Sequence, residues 1–190
     1  MRAESVNDCY VALELSQRTW LIGYLLPGSG KVQTVTVAGG NAEALLSALA
    51  KIETLTGVRS QAECAPGSMR VCFEAGYDGF WLARFLMDRG IHTTILDPSS
   101  FLVSRRGRRV KTDRVDVEAM AFTLKAYLLG DKSVCRPVRL PTIEEEDAKR
   151  LSRERTQLKK ERTRHVNRIR ALLVLHGIRS VPGLWGGRWR

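Results

Sequence analysis

Two hydrophobic periods divide the chain. Residues 10–16 (YVALELS) and 19–26 (TWLIGYLL) are short apolar runs of strand length, separated by Gln17-Arg18, a gap of tight-hairpin length. After the turn signal Pro27-Gly28-Ser29-Gly30, residues 31–39 (KVQTVTVAG) alternate as a third strand, which completes an antiparallel meander. From Asn41 the spacing becomes helical. Asn41 is a candidate cap for a helix to about Leu55 with Leu45, Leu46, Leu49 and Ile52 on one face. Beyond a polar stretch with Pro66-Gly67, residues 69–75 (MRVCFEA) have the character of a buried strand. FWLARFLMDRG is a helix closed by Gly90, and IHTTILDP (91–98) is a strand closed by a proline. Residues 113–129 form a helix with Val117, Met120, Ala121 and Leu124 toward the core. The order β-β-β-α-β-α-β-α predicts an α/β fold: a mixed sheet with flanking helices, over residues 8–130.

Residues 131–141 contain two prolines and little periodicity, and are expected to be a linker. Thr142 and Glu145 then form a capping box that opens a long helical arm over 142–177, with no glycine or proline before Gly177. Val166, Ile169, Leu172 and Leu173 give this arm a narrow apolar stripe. A helix of that kind needs a partner, so a coiled coil and a homo-oligomer are expected. Residues 178–190, with three glycines and two tryptophans, are expected to be an unstructured tail.

Charge changes the picture. Residues 1–98 carry 8 basic and 10 acidic side chains, whereas residues 99–190 carry 23 and 10. A near-neutral first half joined to a strongly basic second half points to a polyanion, most simply nucleic acid, with a solvated basic surface as the alternative. The basic side chains concentrate at Arg105, Arg106, Arg108, Arg109, Lys111 and Arg114, which are the expected phosphate contacts. No apolar stretch is long enough to cross a membrane and no secretory signal opens the chain, so a cytoplasmic protein with reduced cysteines and no membrane partner is expected. The four cysteines lack CxxC spacing, which disfavours a zinc finger. The absence of Walker and GxSxG motifs disfavours an NTPase and a serine hydrolase.

Four carboxylates stand where α/β proteins gather their sites. Glu14 lies inside the first strand, Glu74 ends the strand RVCFEA, and Asp113 and Asp116 open a helix three residues apart. Oxygen ligands suit Mg²⁺, and converging carboxylates are what two-metal phosphodiester cleavage requires. Singly, each has a plainer use: Glu14 as a solvent-facing residue on a hairpin edge, Glu74 as a turn cap, Asp113 and Asp116 as helix-start residues. Together, in this order, they suggest an RNase H-like metal nuclease.

The segments VALELSQ, FEAGYDGFWLARFL, DPSSFLVSRRGRRVKTDRVDVEAMA and EEEDAKRLSRERTQLKKERTRHVNRIRALLVLHGI resemble the DEDD transposases of bacterial insertion sequences, relatives of the Piv DNA invertase, over about residues 10–178. That resemblance implies an RNase H-like (RuvC-like) nuclease domain followed by a coiled-coil arm. It implies DNA transposition or site-specific recombination, and Mg²⁺ held by Glu14, Glu74, Asp113 and Asp116, with glutamate at the first position instead of the usual aspartate. It further implies DNA and an element-encoded guide RNA as partners, and a C-terminal domain bearing a nucleophilic serine. Nothing after Gly177 resembles that domain, so a truncated product without strand transfer is expected. Two other readings remain open at this stage: a non-catalytic nucleic-acid-binding and dimerisation fragment, and a stand-alone junction-resolving nuclease.

Overall fold

The computed structural model describes residues 8–56, 68–76, 79–100 and 113–179. Among these the elements are β1 (Cys9–Leu15), β2 (Thr19–Leu25), β3 (Val32–Ala38), α1 (Ala42–Thr56), β4 (Met69–Glu74), α2 (Gly79–Met87), β5 (His92–Leu96), a 3-10 turn (Pro98–Ser100), α3 (Asp113–Leu128), β6 (Pro137–Val138) and α4 (Ile143–Leu175). The chain divides into two compact units, Met1–Leu140 and Pro141–Arg190.

The first unit is built on one six-stranded sheet of order β3-β2-β1-β4-β5-β6. The meander pairs antiparallel, with Leu15 opposite Trp20 and Trp20 opposite Val37. Strands β1, β4 and β5 run parallel, which the helical crossovers make possible. β1 lies between β2 and β4, so Glu14 is not on an edge strand, and it is half-buried.

Alternation along the central strands divides the core in two. Val11, Leu13, Val71 and Phe73 face one way and pack with Leu45, Leu49 and Ile52 of α1 and Leu82 and Leu86 of α2. Tyr10, Ala12 and Cys72 face the other way and pack with Val117, Met120, Ala121 and Leu124 of α3. These are the helix faces that the apolar spacing predicts. The sheet is thus covered on both sides, as parallel strands require.

The segment expected to be a linker belongs partly to the sheet. Pro137–Val138 pairs antiparallel with β5, Cys135 is buried in the α3-side core, and Val138 and Leu140 pack against the other. A two-residue strand carries no readable period, so only the exposed edge of β5 could define it. The expected tail lies outside the described residues from 180 onward.

The second unit contains α4, 33 residues and about 50 Å of helix. Its capping box forms as expected: the Glu145 amide donates to Thr142 Oγ1 at 3.1 Å, and the Thr142 amide donates to Glu145 Oε2 at 2.9 Å. Glu144, Glu145 and Glu146 lie in the first turn, where negative charge complements the helix dipole. Leu151, Leu158, Ile169, Leu172 and Leu175 are all exposed.

Candidate nuclease site at the ends of the parallel strands

In β1, the row Tyr10, Ala12 faces α3, and period two places Glu14 next in that row. In β4, Cys72 faces α3 and Glu74 follows it in the same way. Register ties the two rows together: Leu13 is paired with Phe73, so Glu14 and Glu74 stand one residue beyond that pair, on one face of adjacent strands. Both are half-buried. Neighbouring parallel strands lie about 4.8 Å apart.

The other two carboxylates arrive on α3. Its buried stripe, Val117, Met120, Ala121 and Leu124, fixes the helix on the same face of the sheet that carries Glu14 and Glu74. Gly23 of β2, opposite Ala12, lets the helix come close: a Cβ built there would meet Val117 Cβ and Cγ2 at 2.8 Å. Deeper in, the Cys72 thiol donates to the Met120 carbonyl at 3.7 Å. One turn before Val117, Asp113 opens the helix and is exposed; Asp116, beside Val117, is half-buried. Arg114 is exposed in the same turn, while Arg105, Arg106, Arg108, Arg109 and Lys111 lie outside the described residues.

Thus Glu14 and Glu74 are side by side, and Asp113 and Asp116 sit on the first turn of the helix laid over that face. Among the described residues, no three acidic, histidine or cysteine side chains are gathered closely enough to hold a metal ion. The donor chemistry still fits a hard cation: oxygen ligands, partly exposed, at the carboxyl ends of parallel strands.

Two further acids escape sequence reasoning. Asp97 follows β5, one residue past the Glu74–Leu96 pair, at the same end of the sheet. Its Oδ1 accepts from the Ser99 amide at 2.9 Å and the Ser99 hydroxyl at 2.8 Å. The Ser99 amide first, then its hydroxyl, and then Arg136 hold the Asp97 carboxyl below its ordinary range. The Asp97 amide also donates to the Arg136 carbonyl at 3.0 Å, so this residue secures the turn against the β6 segment. The signal available was Asp-Pro at a strand end. Asp8, buried at the opposite end of β1, accepts from the Ser68 amide at 3.0 Å and lies 3.7 Å from Arg70 Nε. It ties the starts of β1 and β4 together and is remote from Glu14 along the strand.

A DEDD transposase family model of the IS110 type, described as Transposase, matches residues 42–178. The matched span includes Glu74, Asp113, Asp116 and α4. The chain is 44% identical over 170 residues to "Putative transposase y4rJ" of Sinorhizobium fredii, covering 89% of this chain and 42% of that relative. It is 28% identical over 111 residues to the transposase for insertion sequence element IS1533 of Leptospira borgpetersenii, covering 58% and 30%. The chain therefore spans less than half the length of these curated relatives. Its mixed α/β sheet is consistent with a RuvC-like domain, and a match over most of the chain settles the family. The chain belongs to the DEDD transposases of the IS110 type.

Proposed function

We propose that the first unit is the DNA-cleaving part of a transposase, using Mg²⁺ held by Glu14, Glu74, Asp113 and Asp116. The observation that carries this reading is the juxtaposition of Glu14 and Glu74 on the face that α3 covers, with both aspartates in the first turn of that helix. When bound, the metal supplies Lewis-acid activation of an attacking hydroxyl and stabilisation of the leaving oxygen. The glutamates form the fixed half of the ligand set, because strand pairing holds their backbones. The aspartates form the adjustable half, because their position follows the seating of α3. Arg114 and the basic residues Arg105, Arg106, Arg108, Arg109 and Lys111 draw in the phosphate backbone, which the carboxylates alone would repel.

In this reading the protein acts in the cytoplasm on DNA, with an element-encoded guide RNA as a second nucleic-acid partner. It forms a homo-oligomer through α4, whose exposed Leu151, Leu158, Ile169 and Leu172 would pair with another copy. The same exposed leucines and the helix's many arginines favour a second reading, a nucleic-acid-binding and dimerisation module without cleavage.

The deciding experiment measures nicking of supercoiled and branched DNA by the full chain with Mg²⁺, with EDTA, and with Glu74→Gln. Metal-dependent nicking abolished by Glu74→Gln is expected. DNA binding without any nicking would leave the module reading in its place, and nicking that persists in Glu74→Gln would overturn the proposed ligand set.

A further inference from the structure

An aromatic ladder, open to solvent at Trp81, lies at the same end of the sheet as the carboxylates, on the opposite face. Trp20 is paired with Leu15 at the start of β2, next to the Glu14–Leu21 pair. Its side chain is fully buried on the α1–α2 side. Against it rests Trp81, in the first turn of α2, with ring centroids 6.2 Å apart and planes tilted by 39°. Trp81 in turn meets the Phe85 ring edge-on at 6.3 Å. The Arg89 guanidinium lies over Phe85 at 3.6 Å and donates from Nη1 to the Phe85 carbonyl at 3.1 Å.

Trp81 remains 41% exposed although Trp20, beside it, is 0% exposed. The result is a rigid floor: an indole open to solvent, backed by a second indole that cannot turn away. About two turns further, near 12 Å along the helix direction, a fixed guanidinium supplies positive charge. Rigid aromatic faces beside cations are how proteins hold unpaired bases, since every base has a π-face and its backbone is anionic.

We propose that Trp81 is a stacking platform for an unpaired base of a DNA strand that crosses this end of the sheet. The inference rests on the nuclease reading for its choice of ligand. The location supports it: α2 starts five residues after Glu74, and Trp20 stands one register step from the partner of Glu14, so a strand crossing the sheet end passes from the carboxylates to the indole. Arg89 contributes the charge complementarity that an apolar protein partner would not need. Stacking here would hold a base out of the duplex at the end of the sheet that carries the carboxylates.

The test is equilibrium binding by the full chain, in EDTA, of a single-stranded oligonucleotide carrying 2-aminopurine and of its abasic counterpart. Trp81→Ala, Trp81→Phe and, as a surface control on α2, Met87→Ala are compared with the parent, with circular dichroism to check folding. Trp81→Ala should weaken binding about tenfold, Trp81→Phe and Met87→Ala far less, and the abasic strand should bind the parent and Trp81→Ala alike. Should Trp81→Ala fail to fold, Trp81→Phe still decides the matter, because loss of tryptophan quenching by the strand is expected on that change. Equal affinity of parent and Trp81→Ala for the intact strand would overturn the proposal. So would a change confined to self-association in sedimentation, which would make this face an interface between copies. Metal is absent throughout, so failure of the cleavage reading leaves this readout unaffected.

Discussion

Gly23→Ala perturbs the seating of α3, and with it the two aspartates, by a single methyl group. The added Cβ would stand 2.8 Å from Val117 Cβ and Cγ2 and 3.2 Å from Val32 Cγ1. Carbon atoms are comfortable at about 3.5–4.0 Å, so the helix or the strand must give by roughly 0.7–1.2 Å. Val117 is 0% exposed and cannot swing into solvent. Overpacking a closed core costs about 1–3 kcal/mol. Removing a strand glycine returns roughly 0.5–1 kcal/mol through the unfolded chain. A net loss of about 1–2 kcal/mol is expected. Urea unfolding followed by tryptophan fluorescence measures it, with the buried Trp20 reporting on this unit. Val117→Ala in the same background removes Cγ2 and should recover part of the loss, giving a coupling of about 0.5–1 kcal/mol in the double-mutant cycle. Metal-dependent nicking should fall further than stability alone explains, because Asp113 and Asp116 move with the helix while Glu14 and Glu74 stay. A neutral or stabilising Gly23→Ala, or strict additivity with Val117→Ala, would refute the close approach of α3 to β2 on which this reasoning rests.

Thr142→Ala should cost the start of α4 about 1 kcal/mol by removing one half of the capping box, seen as a lower melting midpoint of the helical signal at 222 nm; Thr142→Ser should restore it. Burial first, and then Asp8, push the Cys9 thiol up to about 12, while burial raises Cys72 and Cys135 above the usual thiol range. These three should therefore resist iodoacetamide in the folded protein and react on unfolding, which mass spectrometry of trypsin digests would resolve residue by residue. The same shifts fix a sign in pH: the unfolded thiols lose their protons first, so stability should decline as pH rises above about 8.5, the ordinary thiol value. A chemical-denaturation series from pH 7 to 10 checks this, and rising stability over that range would contradict the burial of these groups.

Local pattern was enough wherever burial follows a period. The apolar runs at residues 10–16 and 19–26 specify strands, and the helical spacing of Leu45, Leu49 and Ile52 or of Val117, Met120 and Leu124 specifies helices and their inward faces, before any contact is known. The capping box at Thr142 and Glu145 is local too, since four consecutive residues satisfy one another. The four acids stand out as candidates through their positions at strand ends and a helix start, and through the family resemblance.

Register and long-range pairing were not legible, because they are properties of segments far apart in the chain. That Glu14 adjoins Glu74 follows from Leu13 pairing with Phe73, which no local spacing contains. β6 exists only because β5 offers it an edge, and Asp97 becomes part of the site end only when Glu74 is set beside Leu96. Gly23 is one of sixteen glycines in the sequence, and only the descent of Val117 onto it shows why that position has no side chain. The Trp20–Trp81 contact joins a strand to a helix some sixty residues away, so neither tryptophan could be recognised as half of a pair. Element type and the inward face of a helix are local properties, since they depend on neighbours three or four positions away. The tertiary structure decided which acids and aromatics meet, since that depends on how the sheet orders its strands.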